Sequence, residues 1–349
     1  MVAASCFFSF RVTIACGLAL LASTLCAQSP SVPSLLPSMK SEDWPERRRA
    51  IIDGMERVMG KLPSRAQLPE VTAQILSQDD SDPDVRVQSI RFESEPGNWV
   101  PAYLLIPINP PRRPMPAVLC LHQTIAIGKG EPVGLGGSPN LHYAIELARR
   151  GFLILAPDYP SFGDYKYDFA KHPQWQSGSL KAVWDNMRGI DMLTRRPDVD
   201  AGKIGCIGHS LGGHNTIFTA VFDERIGVAI SSCGFTRFHK YYGGKLQGWT
   251  SDRYMPRIAS EYGSNPDRMP FDFPQLLAAI APRAFFSSSP QRDDNFDCQG
   301  VRETVDAARE IFQLLDAPDR LQVLYPDCEH DFPESSREAA YRFLEQHLK

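Results

Sequence analysis

Residues 203–213 read Lys203-Ile-Gly-Cys-Ile207 followed by Gly208-His209-Ser210-Leu211-Gly212-Gly213. The first five form a short apolar run rich in β-branched residues, the composition of a buried strand. A helical stretch follows at 211–222. G-x-S-x-G between a strand and a helix has a specific physical reading. The serine sits on a very tight turn that projects its hydroxyl from the sheet edge. Glycines flank it because a Cβ would clash there. The helix that begins at the serine aims backbone N–H groups and a positive dipole end at the place where an oxyanion would form.

A serine hydroxyl is a weak nucleophile until a base takes its proton. In a strand–serine–helix arrangement the orienting acid and the base come later in the chain, in the order acid then histidine. Two polar loops answer this description. One is Ser287-Ser288-Ser289-Pro290-Gln291-Arg292-Asp293-Asp294-Asn295, and the other is Tyr325-Pro326-Asp327-Cys328-Glu329-His330-Asp331-Phe332. Each follows a short apolar run, so each falls at a strand's C-terminal end, the edge where parallel sheets build their sites. His330 is the only histidine after Ser210 in such a loop, because His214 and His347 lie on helical stretches and His239 lies in an aromatic-rich segment. Asp293 and Asp294 are both candidates for the acid, and Asp293 is preferred because it lies nearer its strand. The oxyanion donors are expected to be the N–H of Leu211 and a second one from Leu121-His122-Gln123-Thr124, given as Gln123 or Thr124. His122, His209 and His214 read as structural neighbours, and Asp158, which precedes Ser210, reads as a loop cap.

The pattern around these loops sets the fold. Val85–Glu93 and Trp99–Ile108, split by a Pro-Gly-Asn turn, read as a hairpin. Apolar runs then recur at 117–122, 152–156, 203–207, 227–232, 283–287 and 321–325. Helical stretches separate them at about 139–150, 177–195, 211–222, 298–315 and 333–347. Continuous apolar strands alternating with helices predict an α/β fold: a mostly parallel eight-stranded sheet with helices on both faces. Residues 234–280 break the alternation between the sixth and seventh strands. They are read as an insertion or lid, with Trp249, Tyr241 and Tyr242 as candidates for stacking on a sugar ring.

On these residues the chain resembles the α/β-hydrolase superfamily, nearest the branch that holds dienelactone-hydrolase-like proteins, acetyl xylan esterases and the catalytic domains of prolyl oligopeptidases. The resemblance covers about residues 85–349. Its motifs are Leu121-His122-Gln123, Ala156-Pro157-Asp158-Tyr159, Gly208–Gly213, Asp293-Asp294-Asn295 and His330-Asp331-Phe332. The Asp-Asp-Asn loop is similar to that of the dipeptidyl peptidases, which implies the first Asp as the acid. The chain departs from its relatives at three points. Dienelactone hydrolases use a cysteine where this chain has Ser210. Glucuronoyl esterases carry an arginine where it has Leu211. The peptidases add a propeller domain for which residues 28–84 are too few. The resemblance implies a serine carboxylic-ester hydrolase working through an acyl-enzyme, with acylated carbohydrates among its substrates. The alternatives are a compact serine peptidase or aminoacyl hydrolase, which would need Glu131 or Glu261 to hold a free amino group, and a non-catalytic binding protein on the same fold.

Composition sets the outer bounds. The chain has 349 residues, 43 % hydrophobic and 22 % charged, with a net charge of −4. These values suit an ordinary globular chain and lack the basic footprint of a nucleic-acid binder. Residues 1–27, with Arg11 and an apolar run from Val12 to Cys26, have the layout of a cleavable signal peptide, which predicts a secreted or periplasmic protein with no membrane association after cleavage. Residues 28–40 read as a Ser/Pro-rich linker, 41–84 as an N-terminal helical extension, and 85–349 as the hydrolase domain. Neither a metal motif nor a cofactor fingerprint appears, so a small-molecule or carbohydrate ester is the expected partner, with the oligomeric state open. Of the eight cysteines, five lie beyond the leader. In an oxidising compartment Cys298 and Cys328 form a candidate bridge between the acid and histidine loops.

Overall fold

A computed structural model of the chain describes residues 39–65 and 68–349. The signal-peptide reading of 1–27 and nearly all of the linker lie outside them. The described chain opens with α1 (Trp44–Met59). Its apolar positions Ile51, Met55, Val58 and Met59 recur at helical spacing and are buried.

Nine strands make one sheet: β1 (Ala73–Asp79), β2 (Val85–Glu95), β3 (Asn98–Pro107), β4 (Met115–Leu121), β5 (Leu153–Pro157), β6 (Val199–His209), β7 (Ile226–Ser232), β8 (Ala284–Ser288) and β9 (Leu321–Leu324). Their spatial order is β1-β2-β3-β5-β4-β6-β7-β8-β9. The first three pair antiparallel with their neighbours, and the six from β5 to β9 run parallel. The expected eight strands are all present, and β1 is an addition. It falls inside the segment read as a helical extension, so only the first part of that segment is helical. All seven of its residues are exposed, and a register shift between Ile75 and Ser77 interrupts its pairing with β2. An exposed edge strand lacks the in–out alternation that marks a half-buried one.

Every residue of β4, β5 and β8 is buried, as expected where helices cover both faces. One face carries α1, α3 (Gly178–Thr194), α4 (Leu211–Phe222), α6 (Phe273–Ile280) and α7 (Cys298–Leu314). The other carries α2 (Tyr143–Arg149) and α8 (Glu334–Leu348). In the segment 234–280, α6 is the crossover helix from β7 to β8, and the irregular part, with the single turn α5 (Arg257–Ser260), precedes it. That part is well packed: Phe235, Phe238, Leu246, Trp249, Met255 and Phe271 all belong to the main core.

Candidate active site

Ser210 lies between the last residue of β6 and the first of α4, with φ 51° and ψ −114°. A positive φ at a serine is strained and persists only where its surroundings enforce it. Its N–H donates to Ser232 O at the end of β7 (2.8 Å). The glycines explain the rest. A Cβ on Gly208 would collide with the backbone of Gly212, one on Gly212 with Leu121 O, and one on Gly213 would lie 2.8 Å from both Gly234 Cα and Ser232 O. Helix α4 thus packs directly against the ends of β4 and β7, which the motif's small residues permit.

The two polar loops are zipped together. Ser289 N–H donates to Leu324 O (2.9 Å), Gln291 N–H to Pro326 O (2.9 Å) and Arg292 N–H to Cys328 O (3.1 Å), while the Arg292 guanidinium meets Asp327 at 2.7 Å. This lattice brings Asp293 and His330 together, with Nδ1 2.9 Å from Oδ2. The Asp293 side chain is 1 % exposed and that of His330 25 %. The other carboxylate oxygen, Oδ1, accepts the N–H groups of Asn295 (2.9 Å) and Phe296 (3.0 Å). Asp294 is exposed and takes no part. The His330 ring lies 4.9 Å from that of His209, the residue before Ser210, and stacks at 6.0 Å on Phe296. Burial, and then the neighbouring His330, push the His209 imidazole well below its ordinary pKa, so it is neutral.

The loop after β4 is pinned through His122. Tyr159 N–H donates to its Nε2 (2.9 Å), so Nδ1 carries the proton and donates to Gln123 O (2.6 Å). Gln123 Nε2 donates to Glu131 (3.1 Å), and Thr124 Oγ1 lies 3.3 Å from the Tyr254 hydroxyl. Asp158 accepts from Lys129 Nζ (2.7 Å), Lys129 N–H (2.8 Å) and Asp164 N–H (2.9 Å). Lys129 and Asp158 therefore form a buried ion pair beside the site. Lone positions give no sequence signal for such a pair 29 residues apart, and Lys129 went unread.

Two further expectations change. Trp249 (3 % exposed) and Tyr241 (7 %) are packed among Phe238, Phe273 and Phe296, and they present no open face to a sugar. Tyr242 is 54 % exposed. Packing takes the large apolar rings because burying them contributes more than any surface contact. The bridge Cys298–Cys328 is not formed: all five described cysteines are free. Glu131 is buried with its carboxylate bonded to Gln123 and Ser138 N–H (3.0 Å), and Glu261 pairs with Arg257 (3.0 Å). Both carboxylates already have protein partners. His214, one turn past Ser210, lies 4.7 Å from Trp249. Both its ring nitrogens and Trp249 Nε1 are buried without a protein partner.

Residues 167–316 match the family model described as glucuronyl esterase, fungi. The stretch spans the serine turn, the irregular segment and the acid loop. Among curated proteins, "Putative hydrolase YtaP" of Bacillus subtilis (strain 168) is 25 % identical over 87 % of this chain and 99 % of its own length. The carbohydrate esterase MZ0003, from an unknown prokaryotic organism, is 23 % identical over 45 % of this chain and 39 % of its own. Among solved structures, the glucuronoyl esterase from Solibacter usitatus superposes with a TM-score of 0.72 at 18 % identity, covering 91 % of this chain and 96 % of that one. Sheet order, serine turn and superposition define the architecture: the chain has the α/β-hydrolase fold. The family model and the matched proteins whose names print an ester-cleaving activity include glucuronoyl, carbohydrate and acetyl xylan esterases.

Proposed function

We propose that the protein is an ester hydrolase that acts on carbohydrate esters through Ser210, His330 and Asp293. The observation that carries the reading is the 2.9 Å hydrogen bond between His330 Nδ1 and a buried Asp293, on the sheet edge where Ser210 is held in a strained turn. With Nδ1–H donated to the carboxylate, His330 keeps a lone pair on Nε2. That nitrogen takes the Ser210 proton as Oγ attacks the ester carbonyl. The Leu211 N–H, in the first turn of α4, has no intrahelical acceptor and receives the developing oxyanion, together with an N–H of Gln123 or Thr124. The tetrahedral adduct collapses, His330 protonates the departing alcohol, and water releases the acyl group by the same steps in reverse. Asp293 stabilises the imidazolium formed in each half. The carbohydrate side of the proposal is supported by the names of the matched esterases, and the exposed ring of Tyr242 is the stacking platform.

Labelling by a fluorophosphonate probe, abolished by Ser210→Ala, tests the nucleophile. A panel of acetylated sugars, alkyl esters of uronic acids, aryl esters and aminoacyl amides tests the substrate. Faster cleavage of the amides than of any sugar ester overturns the reading.

A further inference from the structure

Beside the His330–Asp293 pair lies a third group that the hydrolytic reaction does not use. Cys233 follows β7 with φ 48°, its N–H donates to Ser288 O (2.9 Å), and its side chain is buried. One ligating atom each from Cys233, Asp293 and His330 lies within 4.8 Å of the other two. The thiol also approaches Asp331 O in the histidine loop (3.3 Å). Thiol, imidazole and carboxylate are the three donor types that zinc takes in proteins.

We propose that Cys233, Asp293 and His330 form an inhibitory zinc site that turns the hydrolase off reversibly. The inference rests on His330 acting as the base in the reading above. Zinc–ligand bonds of about 2.0–2.3 Å at tetrahedral angles separate ligand atoms by roughly 3.3–3.7 Å. The present 2.9 Å between Nδ1 and Oδ2 opens slightly to admit the ion, and the sulfur swings in from its present distance. The fourth position is left to water.

The proton balance explains the inhibition. Free His330 holds its proton on Nδ1. When zinc binds the Nδ1 lone pair, that proton moves to Nε2, and the Cys233 thiol releases its own to solvent as the thiolate ligates. One proton is released per zinc bound. With Nε2 protonated, His330 has no lone pair for Ser210. The ion therefore blocks the base directly and need not obstruct the substrate.

The test titrates Zn²⁺ into the intact protein while ester hydrolysis is followed. The expected result is loss of at least nine-tenths of the activity at saturation, recovered on adding EDTA, with one zinc and one released proton per chain. Cys233→Ser keeps its basal activity and shifts the midpoint zinc concentration upward by at least tenfold. An unshifted midpoint in that variant, or no inhibition at millimolar zinc, overturns the proposal. Co²⁺ added to the unmutated protein supplies a readout independent of catalysis and of the variant's folding. A thiolate-to-cobalt charge-transfer band is expected, and its absence excludes Cys233 as a ligand. If the band appears while hydrolysis persists, the inhibitory role fails and the metal site stands. If Ser210→Ala leaves hydrolysis intact, the functional reading fails instead.

Discussion

Exchanging Asp293 for Asn perturbs one proton and little else. Oδ1 of Asp293 accepts two backbone N–H groups, from Asn295 and Phe296, and Oδ2 faces His330 Nδ1 at 2.9 Å. Asparagine has the same shape. Its carbonyl oxygen keeps the two backbone bonds when it takes the Oδ1 position, which leaves the NH₂ group facing His330. Two donors then confront each other, and the imidazole relieves this by moving its proton to Nε2. In that tautomer it cannot accept the Ser210 proton. The expected loss in kcat is about 10⁴-fold, the size found when a catalytic aspartate of this kind becomes asparagine. At 1.36 kcal/mol per tenfold this is roughly 5 kcal/mol of barrier. Stability changes little, because both backbone bonds survive. Turnover of an aryl acetate, normalised to folded protein, measures the first effect, and thermal unfolding measures the second. Asp294→Asn is the control: its side chain is exposed, and kcat is expected to stay within about twofold. The reasoning is refuted if Asp293→Asn keeps more than a tenth of the activity, or if Asp294→Asn is the variant that loses it. A large drop in melting temperature for Asp293→Asn shows instead that the amide has turned its NH₂ toward the backbone donors, so that the lost turnover reflects a broken loop.

Three further outcomes follow from the surroundings of the site. Lys129→Met leaves the Asp158 carboxylate buried without its cation, and urea unfolding is expected to show a loss of about 3–5 kcal/mol, most of it regained in the double variant with Asp158→Asn; full additivity of the two single losses would contradict the ion-pair argument. Burial holds the His214 imidazole down at about 3, so the unfolded chain takes up a proton below pH 6.5 that the folded chain refuses, and stability falls as pH drops through that window. At pH 5 this amounts to about 2 kcal/mol, and His214→Phe is expected to make the stability–pH curve shallower between pH 6.5 and 5, whereas parallel curves would rule the effect out. With no bridge between Cys298 and Cys328, thiol titration of a denatured chain beginning at residue 28 is expected to give five free thiols, and a value of three would restore the bridge.

The strands that position the site were legible because each is a continuous apolar run with helices before and after it, and a run buried on both faces needs no particular register to be recognised. Observed β8 (Ala284–Ser288) and β9 (Leu321–Leu324) fall within a residue of the apolar runs that mark them. Strand β1 was not legible for the converse reason. Ala73-Gln-Ile-Leu-Ser-Gln-Asp79 is exposed throughout, its apolar residues Ile75 and Leu76 are adjacent rather than alternating, and it exists because β2 offers an unpaired edge. Its conformation is dictated by a partner, and a single segment carries no record of its partner.

The same distinction runs through the site. Ser210 could be located from local pattern because the constraint is local: Gly208, Gly212 and Gly213 are required by backbone approaches that any sequence making this turn must satisfy. Asp293 and His330 could be nominated from chain order, but their 2.9 Å contact depends on the hydrogen bonds between residues 289–292 and 324–328, none of which has a sequence signature. Lys129–Asp158 is further removed still. It joins two loops on separate strands, and in the sequence it is one lysine and one aspartate among many charged residues. The aromatic segment erred in the opposite direction. Tyr241 and Trp249 have the composition of a stacking surface, yet the same rings bury the most apolar area per residue, and the segment, which has few regular elements, needs them to hold it against α4 and α6. Composition names the residues capable of a role, and competition between burial and binding decides which role they take. Here burial claimed Trp249 and Tyr241, and Tyr242 is the ring left to solvent.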